Sequence, residues 1–270
     1  MYDLTQFDAD AIMHSGQVFR YFETSDGYEI TAGENIAHLR YIELNGKRIC
    51  EIKSNDSGFF YNYFDFDTDY GSIKRDLLRH DCLVPAIMDG GGIRILRAPF
   101  VEMVVSFIIS ANNNIKRFTK TLNLLCERFG SPLGNGRFAF PTLDELCKIE
   151  AETFRELGCG YRGPYLVRAI EQLGRMDFAD LEKLSDGDLY KELTALAGVG
   201  DKVVRCIMLF AFHRLNIAPV DTWIKKAIAD LGCDQPIEEM FAPWAGVAQQ
   251  YIFYYMQYLG KAINQIQVSN

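Results

Sequence analysis

The amino-acid sequence predicts an α+β protein, with an N-terminal antiparallel β-sheet domain over residues 1–96 and an all-helical domain over residues 97–270. Three observations carry that expectation. Apolar residues alternate on both sides of Asn45 and Gly46, the dipeptide that best suits a two-residue type I′ hairpin turn. Gly90, Gly91 and Gly92 punctuate the chain shortly before Arg97, Ala98 and Pro99 open an apolar helix, which sets the domain boundary. Residues 185–213 read as two helices joined by a glycine turn. With 270 residues and 49% hydrophobic content, the chain can build one large or two modest cores.

The strand-like pattern runs from about Val18 to Leu96. His38 to Lys53 holds the two runs around Asn45 and Gly46, and Phe19 to Thr31 reads as a second pair turning at Asp26 and Gly27. Tyr61 to Tyr70 mixes aromatics with aspartates and reads as a sheet edge and loop. Taken alone, Gly16 is a plain turn before a strand.

In the helical part, Phe100 to Ile109 is apolar all round with Glu102 its only charge, the pattern of a buried helix. Asn112, Asn113 and Asn114 interrupt it, and Lys116, Arg117 and Lys120 open the next helix on a basic face. These residues suit a helix break with solvated charges as well as a nucleic-acid contact. Gly158, Cys159, Gly160, Tyr161 and Arg162 form a glycine-rich turn ending in an aromatic and a cation. Such a pair can wedge between bases, or cap a helix and anchor a tyrosine. The last helix, about Ala242 to Ala262, puts Gln249 and Phe253 four apart on one face. A glutamine can match the Watson-Crick edge of guanine while a phenyl ring stacks on its plane, although a core aromatic beside a surface glutamine is the commoner outcome.

The hairpin organises the rest. Ser185 caps its first helix, with Asp188 three residues on, and Leu189, Leu193 and Leu196 form one buried face. Gly198, Val199 and Gly200 make the turn, whose exposed amides suit a phosphate backbone. The second helix runs from about Asp201 to His213, with Val203, Val204, Ile207, Met208 and Ala211 as its core stripe and Lys202 and Cys206 beside it. A lysine in the first turn faces the positive end of the helix dipole, which favours the neutral, nucleophilic amine. A twelve-residue helix rises roughly 18 Å, and the residues after it span about 26 Å extended, so the chain can return Asp221 to Lys202. Asp221 is equally a good N-cap for the run containing Ile224, Ala227 and Ile228.

Composition pulls the other way. A formal charge of −8 argues against a nucleic-acid partner, unless positive charge and backbone amides gather on one face. The seven cysteines are widely spaced and odd in number, so no metal or disulfide framework is legible. No signal peptide or long apolar run is seen, which predicts no membrane association and a cytoplasmic setting, nucleoid-associated if prokaryotic.

The segment Leu196 to Val204, followed by Pro219, Val220 and Asp221, resembles the helix-hairpin-helix and trailing aspartate of the base-excision DNA glycosylases, specifically the 8-oxoguanine DNA glycosylases. Ala197 replaces the usual hairpin proline, and Trp223 stands where histidine is frequent. The resemblance covers nearly the whole chain and implies a role for each motif. Lys202 and Asp221 are the catalytic pair, a lysine at that position marking members that cleave the glycosidic bond and then nick the strand. The Gly16 carbonyl accepts the N7 hydrogen that only 8-oxoguanine carries. Gln249, Phe253 and Cys206 hold the base, and Asn112, Arg117, Tyr161 and Arg162 attend the opposite cytosine and the wedge. Gly198, Val199 and Gly200 grip the DNA backbone.

The implied partner is duplex DNA containing 8-oxoguanine, and a monomer is expected. No cofactor is required, though a cation at the hairpin turn fits; the tight cysteine cluster of the iron-sulfur branch is missing, so no iron-sulfur cluster is expected. A monofunctional glycosylase for another damaged base, or a non-catalytic helix-hairpin-helix DNA-binding protein, remains the alternative.

Overall fold

The computed structural model describes residues 2–220, 222–230, 232 and 235–259. Among them, five strands form one antiparallel sheet in the order β1-β5-β4-β3-β2: β1 Tyr2–Asp3, β2 Tyr21–Thr24, β3 Gly27–Ala32, β4 Asn35–Leu44 and β5 Lys47–Ser54. Leu44 pairs with Lys47, so Asn45 and Gly46 make the whole β4–β5 turn, with the two positive φ angles, 51° and 73°, of type I′. Thr24 pairs with Gly27, which puts the β2–β3 turn at Ser25 and Asp26, one residue earlier than predicted. Tyr28, Ile30 and Ala32 on β3 and Ala37 and Leu39 on β4 bury one face, with helix α1, Ala9–Met13, against β3.

Beyond β5 the structure corrects the sequence expectation. The segment predicted as strand up to Leu96, including the sheet edge and loop at Tyr61 to Tyr70, contains three helices: α2 Ser57–Tyr63, α3 Tyr70–Leu77 and α4 Val84–Asp89. The aspartates that resemble loop residues are caps. Asp56 accepts the Phe59 amide at 2.9 Å, and Asp69 accepts that of Ser72 at 3.1 Å. The aromatics also fall at helical spacing, with Phe60 and Tyr63 buried on α2 and Tyr70, Ile73 and Leu77 on α3.

The chain continues through α5 Phe100–Ser110, α6 Ile115–Phe129, α7 Leu143–Leu146, α8 Ala151–Phe154, α9 Gly163–Leu173, α10 Phe178–Glu182, α11 Asp186–Thr194, α12 Asp201–Phe210, α13 Thr222–Asp230, α14 Ile237–Met240 and α15 Ala245–Tyr254. Helix α15 starts after the expected Ala242 because a residue before proline, here Pro243, is biased away from helix. Wide helical turns carry it on through Leu259. No described helix is long and apolar enough to cross a membrane.

Helix α5 is the centre of the helical part and packs against α6, α9 and α12. Its one charge is compensated. Arg20 lies 3.1 Å from Glu102, and the Gly33 amide donates to the same carboxylate at 2.7 Å, which joins sheet to helix. Asp65, 2% exposed, makes a second tie. Its Oδ1 accepts from Arg97 Nε at 3.0 Å and its Oδ2 from Tyr70 Oη at 3.0 Å. His213 Nε2, just past α12, lies 3.0 Å from Oδ2.

Burial pushes the Asp65 carboxyl pKa up, but His213, Thr68 and Arg97 outweigh it and hold the group below its ordinary value. A depressed carboxylate contributes stability above its unfolded pKa of about 3.9, and that contribution is lost as pH falls towards the folded value. Asp65→Asn is expected to cost about 1–3 kcal/mol at pH 7 and to flatten the acid limb below about pH 4. Urea unfolding at pH 7 and across that limb checks both, and an acid limb that superimposes on the native one would contradict this role.

Candidate active site

The hairpin forms as its residues dictate. Ser185 Oγ accepts the Asp188 amide at 3.2 Å to start α11, and Leu189, Leu193 and Leu196 are buried. The turn closes with the Val199 amide donating to Leu196 O at 3.2 Å. Gly198 has φ +78°, and a Cβ there would lie 2.9 Å from Tyr165 Cβ, so both the turn and its neighbour on α9 require glycine. Gly200 then caps α12, which ends at Phe210 and not at the predicted His213, where the chain turns left-handed at φ 54°. Lys202 is exposed in the first turn of α12, and Cys206, one turn on, is buried.

Four distant parts of the chain meet at one small cavity. Gly16, Lys202, Cys206, Pro219, Gln249, Gln250 and Phe253 line it, and its volume is about 40 Å³. One wall is the ring of Phe253. A Cβ on Gly16 would lie 2.7 Å from its ring, and Gly16 has φ +80°, so glycine is what lets the ring lie against the backbone. Phe253 and Gly16 also border a groove of about 1050 Å³ whose lining includes Lys116 and Lys120. In that groove Lys116 and Lys120 stand with Glu23 and Glu127, and Lys202 lines the adjoining cavity.

Asp221 and the side chain of Trp223 lie outside the described residues. What precedes the aspartate is in place: Pro219 lines the cavity that Lys202 lines. The expected N-cap role at α13 is likewise beyond description, but Ile224, Ala227 and Ile228 bury the face predicted for that helix.

The asparagine turn and the Tyr161 turn come together. Asn112 is exposed at φ 50°, Asn113 Nδ2 donates to Ile109 O at 3.2 Å, and Asn114 caps α6 by accepting the Arg117 amide at 2.8 Å. Arg117 is exposed. Tyr161 stands out at 59% exposure, while Arg162 is only 7% exposed. Its Nε donates to Ala111 O at 2.9 Å, its Nη2 donates to Asn112 O at 3.0 Å, and its guanidinium lies 4.5 Å from the Tyr161 ring centroid. The guanidinium therefore braces the asparagine turn from beneath, with its donors occupied by backbone carbonyls. Gln250 and Phe107 also line the cavity without having been singled out in the sequence. For Gln250 a signal existed: two adjacent glutamines in a helix whose Val247, Ala248, Tyr251 and Ile252 are all buried.

A lysine at the start of the second hairpin helix, lining an aromatic-walled cavity, defines a helix-hairpin-helix protein of the base-excision type. The chain belongs to the 8-oxoguanine DNA glycosylase family: residues 2–104 match the 8-oxoguanine DNA glycosylase N-terminal domain, and residues 105–241 match the HhH-GPD superfamily of base excision DNA repair proteins. It is 36% identical over 153 residues to an N-glycosylase/DNA lyase of Saccharomyces cerevisiae, covering 50% of this chain and 40% of the yeast protein. An Arabidopsis thaliana N-glycosylase/DNA lyase OGG1 is 34% identical over 142 residues, 49% of this chain and 39% of the plant protein. The matched segments thus span about two-fifths of these curated relatives. A solved structure of the Clostridium acetobutylicum 8-oxoguanine glycosylase/lyase, in complex with double-stranded DNA containing cytosine opposite 8-oxoG, is similar over 93% of this chain and 92% of its own, at 34% identity and a TM-score of 0.83.

The contact of Gly16 with Phe253 is directly testable. Gly16→Ala is expected to destabilise the protein by about 1–2 kcal/mol, through a Cβ at positive φ and its clash with the ring. In the Phe253→Ala background the clash vanishes, so a double-mutant cycle by thermal unfolding should show a coupling of at least about 0.5 kcal/mol. Additive effects would mean that the ring does not rest on Gly16 in solution.

Proposed function

We propose that the chain is a bifunctional DNA repair enzyme that excises 8-oxoguanine from duplex DNA and then nicks the strand at the abasic site. The observation that carries this reading is the convergence of Lys202, Cys206, Gly16, Gln249 and Phe253 on one cavity from separate parts of the chain. A binding module needs the glycine turn alone and has no use for such a cavity.

The damaged nucleotide leaves the stack at a cost of a few kcal/mol, Tyr161 fills the gap, and Asn112, Arg117 and Arg162 attend the unpaired cytosine. For Arg162 this requires exchanging its carbonyl partners at Ala111 and Asn112 for the base. Phe253 swings off Gly16 and the base enters between its ring and Cys206. The Gly16 carbonyl accepts the N7 hydrogen of 8-oxoguanine and repels the N7 lone pair of guanine, a mismatch of about 1–3 kcal/mol.

Neutral Lys202 then attacks C1′. The new bond forms from its nitrogen lone pair while the glycosidic bond breaks, its electron pair leaving with the base, which takes up the proton that the amine releases. Asp221 is assigned the stabilisation of positive charge developing on the sugar. The sugar ring opens to a Schiff base, a proton leaves C2′, and the 3′ phosphate departs to nick the strand. Side chains supply this chemistry without a metal or redox cofactor; a cation at the hairpin turn, Gly198 to Gly200, would serve DNA backbone binding. The enzyme acts as a monomer in the cytoplasm, associated with the nucleoid if the source is a prokaryote.

Borohydride trapping on a duplex with one 8-oxoguanine opposite cytosine tests the reading. The native protein is expected to give a covalent protein–DNA adduct, and Lys202→Gln none, with excision slowed at least about 10²-fold. Binding without an adduct from the native protein would replace this reading with a monofunctional or non-catalytic one.

A further inference from the structure

The amide of Gln249 does not stand alone in the cavity. Gln250 lines the same cavity, and its Nε2 donates to Gln249 Oε1 at 2.8 Å. Both residues are buried, at 3% and 2% exposure. With Oε1 engaged, Gln249 carries its Nε2 hydrogens on the side away from Gln250. Gln250 Oε1, in turn, is buried with no hydrogen-bond partner among the described residues. Buried amide oxygens are almost always satisfied, so one without a partner on a residue that lines the cavity marks a place for a donor from outside.

We infer that Gln250 is a second base-reading residue, which fixes the orientation of the Gln249 amide and offers its own Oε1 to an N–H of the flipped base. This inference rests on the proposed base-excision function. Flipped bases are read by hydrogen bonds to the Watson-Crick edge. On guanine that edge sets the O6 acceptor beside the N1–H donor, and on adenine an amino donor sits beside the N1 acceptor. A Gln249 N–H next to a Gln250 oxygen complements the guanine order and opposes the adenine order. Gln250 also prevents the error that a lone glutamine permits, an amide turned over so that oxygen meets O6. The two ends of the base are then read separately: Gly16 reports oxidation at the N7 side, and the glutamine pair reports that the base is a guanine.

Single-turnover excision by the native protein and Gln250→Met, on duplexes carrying 8-oxoguanine or 8-oxoadenine opposite cytosine, tests this. Methionine keeps the length of the side chain and removes both polar atoms. The variant is expected to excise 8-oxoguanine about tenfold more slowly or worse, and the ratio of 8-oxoguanine to 8-oxoadenine excision should fall at least about fivefold, with thermal melting confirming the fold. Gln250→Glu, which removes the donation to Gln249 and stays polar, is expected to lower the same ratio and serves if the methionine variant does not fold. Equal losses on both lesions, or no loss, overturn the role of Gln250 and leave the 8-oxoguanine assignment intact. A native protein with no preference for 8-oxoguanine over 8-oxoadenine overturns that assignment and this inference together.

Discussion

The ring of Phe253 rests on the α-carbon of Gly16, and the site takes its form from that contact. Residue 16 lies between β1 and β2 and residue 253 belongs to α15, so this contact brings distant parts of the chain together beside the hairpin. Both residues line the cavity, whose volume is about 40 Å³. The exposed Lys202 and the ring of Phe253 stand on the same cavity, so a base that enters beside the ring meets the lysine there.

The ties behind the cavity explain how an acidic chain builds such a site. Acidic side chains are consumed in local roles: Asp8, Asp56, Asp69 and Asp177 cap helices, and Glu102 and Asp65 are buried against Arg20 and His213. The Glu102 and Asp65 pairs are buried, whereas the caps at Asp56, Asp69 and Asp177 are exposed. Lys116, Lys120 and Lys202 line the two adjoining spaces that a flipped nucleotide would cross. Sequence-wide charge is a statement about the whole surface, and recognition depends on one face of it.

Much of this was legible in the sequence where a local rule acts alone. Asn45 and Gly46 made their turn because nothing distant competes with two adjacent positive φ angles. Ser185, the leucines of α11 and the glycines at 198 and 200 specified the hairpin for the same reason. The segment from Ser57 to Asp89 was misread because aspartates serve loops and helix caps alike, and only the spacing of the buried aromatics separates the two. Among the site residues, Lys202 was marked by its place at a helix start and Gln249 and Phe253 by their shared face, Gly16 and Cys206 took their roles from family resemblance, and the meeting of all five at one cavity is a tertiary fact with no local signature. Arg162 shows the limit most clearly: its identity pointed to the opposite base, whereas its place beneath the asparagine turn depends on where two loops pack. Gln250 was missed because a polar residue beside a recognised one looks like its solvated neighbour until its burial is known.

The most direct measurement is a crystal structure of the Lys202→Gln protein bound to a duplex with 8-oxoguanine opposite cytosine. The expected result is a cavity enlarged by rotation of Phe253 away from Gly16, with the base held between that ring and Cys206 and its N7 hydrogen on the Gly16 carbonyl. A base bound elsewhere, or left stacked in the duplex while Phe253 still rests on Gly16, would contradict the central claim that this cavity is where the lesion is read and removed.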